Sequence, residues 1–286
     1  MQTGSRFTLL QWLLLLLCLS LASGCATKQE EVLPEQKYYE QAREALKGSN
    51  FNAAQRNLEA LETYYPFGRY AEQAQLDLIY ARYRSQDLDG ARSSADRFLR
   101  LNPQSDNADY ALYVRGVASY YMDLGLAVRY FPVSAAGRDP GEQISAFRDF
   151  YTLITQYPDS EYAPDARQRM IAIRNRLAAG EIHAARYYIK REAYIAALRR
   201  AQYVVENFPS TPAVEDALVI MTEMFSRLGL RQEANEGRRM LALNYPDNPA
   251  LDSNGRFIRQ NFGIQDRSLR NVLTFGLLGK REKPRD

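Results

Sequence analysis

The chain is short of histidine, cysteine and any excess of charge. Its 286 residues include one histidine, His183, and two cysteines, Cys18 and Cys25, both near the N-terminus. A metal centre of imidazole and thiolate ligands is excluded, because His183 has no second histidine or cysteine near it in sequence. There is no G-x-S-x-G elbow, no Walker-type phosphate loop and no H-E-x-x-H pair. Carboxylate pairs such as Asp87 with Asp89 or Glu30 with Glu31 lie in turn or tail sequence. Neither catalysis nor a metal or other dissociable cofactor is therefore expected. The 37 basic and 34 acidic residues are interspersed and sum to +3, which points to no nucleic-acid partner. Glycine and proline are sparse between positions 37 and 245 except at punctuated sites. That is the distribution of an all-α protein.

What is present begins at the N-terminus. Arg6 precedes an apolar stretch over residues 9–21, followed by Ala22, Ser23, Gly24 and Cys25. This has the layout of a secretion signal. The run is too short for a membrane span, which needs about 20 apolar residues, and the polar "ATKQEEV" follows it. The "LASGC" ending resembles the bacterial lipobox, whose cysteine is thioether-linked to diacylglycerol and becomes the new N-terminus. Ala22 stands where the lipobox has leucine, with Leu21 beside it. The resemblance implies removal of residues 1–24, a diacylglycerol and an N-acyl chain on Cys25, and a lipidated linker over 25–36. The other reading is that Cys25 falls there incidentally. Cleavage would leave Cys25 without a disulfide partner, and acyl chains at about 0.8 kcal/mol per buried methylene would hold the protein on a membrane. Ala26 occupies the position where bacterial sorting commonly reads aspartate as an inner-membrane signal. The expected location is the periplasmic face of the outer membrane of a Gram-negative bacterium.

The remaining chain, 46% hydrophobic overall, is long enough to bury a substantial core. Five prolines punctuate it: Pro66, Pro103, Pro158, Pro209 and Pro246. Twelve residues before them stand Ala54, Ala91, Ala146, Ala197 and Ala234; five before stand Leu61, Phe98, Leu153, Val204 and Leu241. One small and one large contact thus share a stripe at helical spacing, and proline ends each helix by lacking an amide proton and disfavouring helical geometry in the residue before it. Phe51, Leu88 and Tyr194 precede three of the alanines by three positions, whereas Gln143 and Arg231 depart from that pattern. The whole resembles the second helix of a tetratricopeptide repeat, of period 34. The expectation is a superhelix of about five repeats over 37–249, ending near 66, 103, 158, 209 and 246. An irregular helical bundle is the alternative. Extra residues in the third repeat include the Gly- and Pro-rich stretch 125–141; those after Pro158 form either a longer first helix or one interrupted near Gly180. A basic, partly ordered tail covers 250–286, open to capping the last repeat, docking a partner or meeting acidic headgroups.

"LEALETYYPFGRYAEQAQLDLIYARY" (58–83), "DRFLRLNP" (96–103), "GRDP" (137–140) and "AFRDFYTLITQYPDSEYAPDA" (146–166) together resemble the BamD family. That family is the lipoprotein subunit of the machine that inserts β-barrel proteins into the outer membrane. The resemblance implies a non-catalytic scaffold and receptor: it would bind a POTRA domain of BamA, dock other lipoproteins of the complex, and receive C-terminal signals of unfolded outer membrane proteins. Such signals are short extended segments with alternating aromatic side chains, so a receptor should offer aromatic walls. "TYYPFGRY" supplies Tyr64, Tyr65, Phe67 and Tyr70, with Tyr80 and Tyr83 on the next helix. Tyr65, Phe67 and Gly68 are the candidate substrate contacts, although Tyr65 also fits a purely packing role. Arg200 is the candidate interface cation, able to fork onto a partner carboxylate; a solvated helix face is the other reading. A lipoprotein serving as scaffold or co-chaperone in cell-wall or polysaccharide export remains the rival function.

Overall fold

The computed structural model describes residues 32–130 and 140–262, with side chains left aside for 123–130. The signal peptide at 1–24, Cys25 and most of its linker, the "GRDP" stretch up to residue 139, and the tail beyond 262 lie outside the described residues. Ten helices follow one another there: α1 (Glu35–Lys47), α2 (Phe51–Tyr64), α3 (Ala71–Arg84), α4 (Leu88–Leu101), α5 (Ala108–Tyr130), α6 (Gly141–Gln156), α7 (Ala163–Lys190), α8 (Tyr194–Asn207), α9 (Ala213–Arg227) and α10 (Arg231–Asn244).

The second helix of each pair ends identically. The residue before each proline (Tyr65, Asn102, Tyr157, Phe208, Tyr245) leaves helical geometry, and its N–H still donates at 2.8 Å to the carbonyl of Leu61, Phe98, Leu153, Val204 or Leu241. Those five large side chains are fully buried, so one position both closes the helix and fills the core. Two helix starts are capped by side chains, with Asn50 accepting from the Ala53 N–H and Asp87 from the Gly90 N–H, the usual satisfaction of an orphan helix donor. The turn inside four of the pairs passes through a left-handed residue, at Ser49, Gln86, Glu192 and Gly229.

Each helix packs against the next, and first helices of successive pairs also meet, α3 with α5 and α7 with α9. The core is accordingly a chain of local clusters, as expected of a quasi-one-dimensional repeat array. The fold is a tetratricopeptide-type array of helix pairs. Helix α7 has 28 residues and runs unbroken through Gly180, about 42 Å at the helical rise. Ala163, Ala166 and Ile173 in its first half join the cluster of α5 and α6, while Ala178, Ile182, Ala185 and Ile189 join that of α8–α10. The extra residues after Pro158 are thus a longer first helix that belongs to two cores.

Candidate functional site

The turn after each proline is also copied. The N–H two residues beyond proline (Gly68, Ser105, Ser160, Thr211, Asn248) donates to the carbonyl of the residue before it. In three of the turns a polar side chain at that position reaches an acid in the first turn of the pair's first helix. Ser105 donates to Glu72, Ser160 to Asp109, and the Asn248 amide to Glu215. The same Ser105, Ser160 and Asn248 side chains accept from the backbone N–H two residues further on, at Asn107, Tyr162 and Ala250.

The first turn solves this differently. Gly68 carries no side chain, and the Glu35 carboxylate itself moves in to accept the Tyr70 N–H at 2.7 Å. A Cβ built on Gly68 would lie 2.1 Å from Glu35 Oε1, so glycine is what admits the carboxylate. Tyr65 packs against the α1–α3 cluster, and its hydroxyl donates to the Leu33 carbonyl at 2.9 Å. Tyr70 stacks on Tyr39 at 4.6 Å, and Tyr64 on Tyr38 at 6.0 Å. Phe67, by contrast, is 98% exposed. The corresponding positions of the other turns are Gln104, Asp159, Ser210 and Asp247, all polar.

Tyr65, Phe67 and Gly68 therefore share one turn in three different situations: a bonded ring, a bare ring, and a close backbone approach. Tyr80 and Tyr83 do not extend this wall. Tyr80 sits edge-on to Phe51 under the Arg84 guanidinium, at the start of α2, about 20 Å by helical rise from the end that carries the turn. Tyr83 is partly buried between two core clusters.

Arg200 on α8 is half-exposed and already paired, donating to Glu181 on α7 at 3.0 Å. That carboxylate raises the guanidinium pKa further above its ordinary value. Its neighbour Arg199 is exposed, and so is His183. Among the described residues no group of three or more His, Cys, Asp or Glu is arranged to hold a metal ion, and no helix is long and apolar enough to cross a membrane.

Two inter-repeat constellations carry no signature in the sequence. Arg115 on α5 bridges Asp96 on α4 and Asp149 on α6; burial pushes the Asp149 carboxyl up, against the pull of Arg115. Tyr113 on α5 stacks on Tyr162 at 4.8 Å and donates to Asp165, while Arg169 lies over Tyr120 and Tyr121. Burial and the bond to Asp165 push the Tyr113 hydroxyl up to about 12.

The model of a family described as outer membrane lipoprotein, YfiO, matches residues 32–240. The outer membrane protein assembly factor BamD of Vibrio cholerae is 39% identical over 231 residues, covering 80% of this chain and 96% of that protein. The BamD of Neisseria meningitidis serogroup A is 38% identical, covering 84% and 93%, and that of Xylella fastidiosa strain Temecula1 is 34% identical, covering 81% and 80%. Among solved structures, the type IV pilus biogenesis factor PilW is 15% identical, covering 75% of this chain and 95% of its own, with a TM-score of 0.29. The matched region takes in every helix but the end of α10, and on that extent the chain belongs to the BamD (YfiO) family of outer membrane lipoproteins.

Proposed function

We propose that the chain is a non-catalytic scaffold and substrate receptor of the β-barrel assembly machinery, held on the periplasmic face of the outer membrane by acyl chains on Cys25. In this reading its repeats bind a POTRA domain of BamA and neighbouring lipoproteins, and the first proline turn receives C-terminal signals of unfolded barrel proteins. The observation that carries the receptor role is Phe67, a ring 98% exposed on a turn whose other copies are polar there. Burying such a side chain is worth about 1.5–3 kcal/mol, a gain left unused until a partner covers it. Tyr64, exposed by 47%, lies next to the turn, so an extended segment with alternating aromatic residues would find two rings. Tyr65 and Gly68 shape the turn that presents them, and Arg200 is assigned to the POTRA contact.

A photocrosslinker at position 67, with a second at position 200, tests this in membranes. Crosslinks from 67 to nascent barrel proteins and from 200 to BamA are the expected result. Crosslinks confined to cell-wall or polysaccharide-export proteins would keep the fold and move the chain to another machine.

A further inference from the structure

We infer that the lipid tether and the receptor turn are one unit, so that Phe67 is held close to the bilayer surface; this rests on the anchor and receptor roles proposed above. The chain entering α1 is strapped to the first proline turn. The Leu33 carbonyl accepts from the Tyr65 hydroxyl at 2.9 Å, the Leu33 N–H donates to the Tyr38 hydroxyl at 3.3 Å, and Glu35 holds the Tyr70 N–H at 2.7 Å. Gly68 permits the last of these. In the other locked turns the acid comes from a helix that follows an earlier pair. Here alone it comes from the helix that leads back to Cys25.

Eight residue steps separate Cys25 from Leu33, and an extended chain gains at most about 3.5 Å per residue, so in any conformation the span is limited to about 28 Å. The turn that bonds to Leu33 and Glu35 shares that limit. The opposite end of the array, where Leu243 on α10 is 83% exposed, is not bonded, among the described residues, to the segment that leads back to Cys25. A segment captured at Phe67 would therefore be delivered beside the lipid into which a barrel must insert. Tyr65, Gly68 and Glu35 act here as positioning residues, not as contacts.

The test uses the full-length lipidated chain in phosphatidylethanolamine–phosphatidylglycerol vesicles carrying an acceptor-labelled headgroup. A donor is attached through Phe67→Cys, which is the only reactive thiol once Cys25 is acylated and residues 1–24 are removed. Inserting about 20 Gly/Ser residues between Lys28 and Gln29 raises the r.m.s. span of a flexible tether from about 16 Å to about 29 Å, nearly doubling it. Energy transfer from position 67 is expected to be strong in the parent and to fall about twofold or more on insertion. Transfer unchanged by the insertion, or weak in a vesicle-bound parent, would overturn the inference while leaving the anchor intact. A parent that behaves like Cys25→Ser and does not bind vesicles would instead remove the anchor, and the inference with it.

Discussion

Arg200 can be made to report whether its charge serves the repeat array or a partner. The Arg200–Glu181 pair is 3.0 Å long, with side chains 46% and 23% exposed. Pairs of that exposure contribute about 0.2–1 kcal/mol after screening. Arg200→Glu removes the attraction and sets two carboxylates side by side, so about 1 kcal/mol of stability should be lost. In a chain of this size that lowers Tm by about 2–4 °C. If Arg200 also pairs with a carboxylate of the POTRA domain in a desolvated interface, the same change should cost about 2–5 kcal/mol of binding, roughly 30-fold to several thousandfold in Kd. The exchange Glu181→Arg with Arg200→Glu separates the two effects, because it rebuilds the inner pair and leaves the outer one broken. Thermal melts should return to the parent value while titration of the detergent-solubilised lipidated chain against BamA stays weak. Parent-like affinity in Arg200→Glu, or an exchange that restores affinity together with Tm, would refute the interface role and assign Arg200 to the α7–α8 contact alone.

Other consequences follow from the polar contacts. Gly68→Ala should push the Glu35 carboxylate off the Tyr70 N–H, costing about 1 kcal/mol in urea unfolding and speeding hydrogen exchange at Tyr70; unchanged exchange would show that the lock is not needed. Burial holds the Asp77 carboxyl above its ordinary pKa, with the Arg43 guanidinium 3.9 Å away. A raised carboxyl favours folding below its unfolded pKa and loses that advantage as pH rises through the folded value. Asp77→Asn should accordingly be more favourable, relative to the parent, at pH 7 than at pH 4; a stability difference independent of pH would refute this. Glu223 is fully buried and holds Arg227 at 2.7 Å and the Gln260 N–H at 3.0 Å. Glu223→Ala should cost about 3 kcal/mol and raise hydrogen exchange over 256–262; an effect confined to α9 would mean the segment is held by its apolar side chains.

The helix ends were legible because proline acts locally. Each of Pro66, Pro103, Pro158, Pro209 and Pro246 stops its helix within two residues, without tertiary help. The alanine stripe was legible to the extent that close approach is made there: Ala54, Ala91, Ala146 and Ala197 are fully buried. Ala234 is half-exposed, since in the last pair the close contact falls on Gly237, where a Cβ would meet Thr222 Oγ1 at 2.7 Å. Gln143 departs from the aromatic pattern because α6 starts before it, at Gly141, and carries it into the buried face. The polar locks were not legible. Glu35, Glu72 and Glu215 each stand 31 residues before a proline, but a surface acid and a turn serine look alike whether or not they meet. The same holds for Arg200 and Glu181, which only the α7–α8 packing brings together.

A repeat array must close its two ends, because each terminal pair has one face without a neighbour. The two ends are closed by different chemistry here. At the last pair, Phe257 and Phe262 pack against the core, Leu251 bridges to Phe257, and the buried Glu223 ties down Gln260. Aromatic side chains there turn inward. At the first pair the strap is short and polar, made by Leu33 and Glu35 on the proline turn, and the aromatic residue of that turn is left outside. Capping alone does not require this, since the polar residues at the equivalent position elsewhere serve the same turn geometry. An aromatic ring kept bare on the turn strapped to the tether, while Phe257 and Phe262 at the other end pack against the core, supports the receptor role proposed for the first pair.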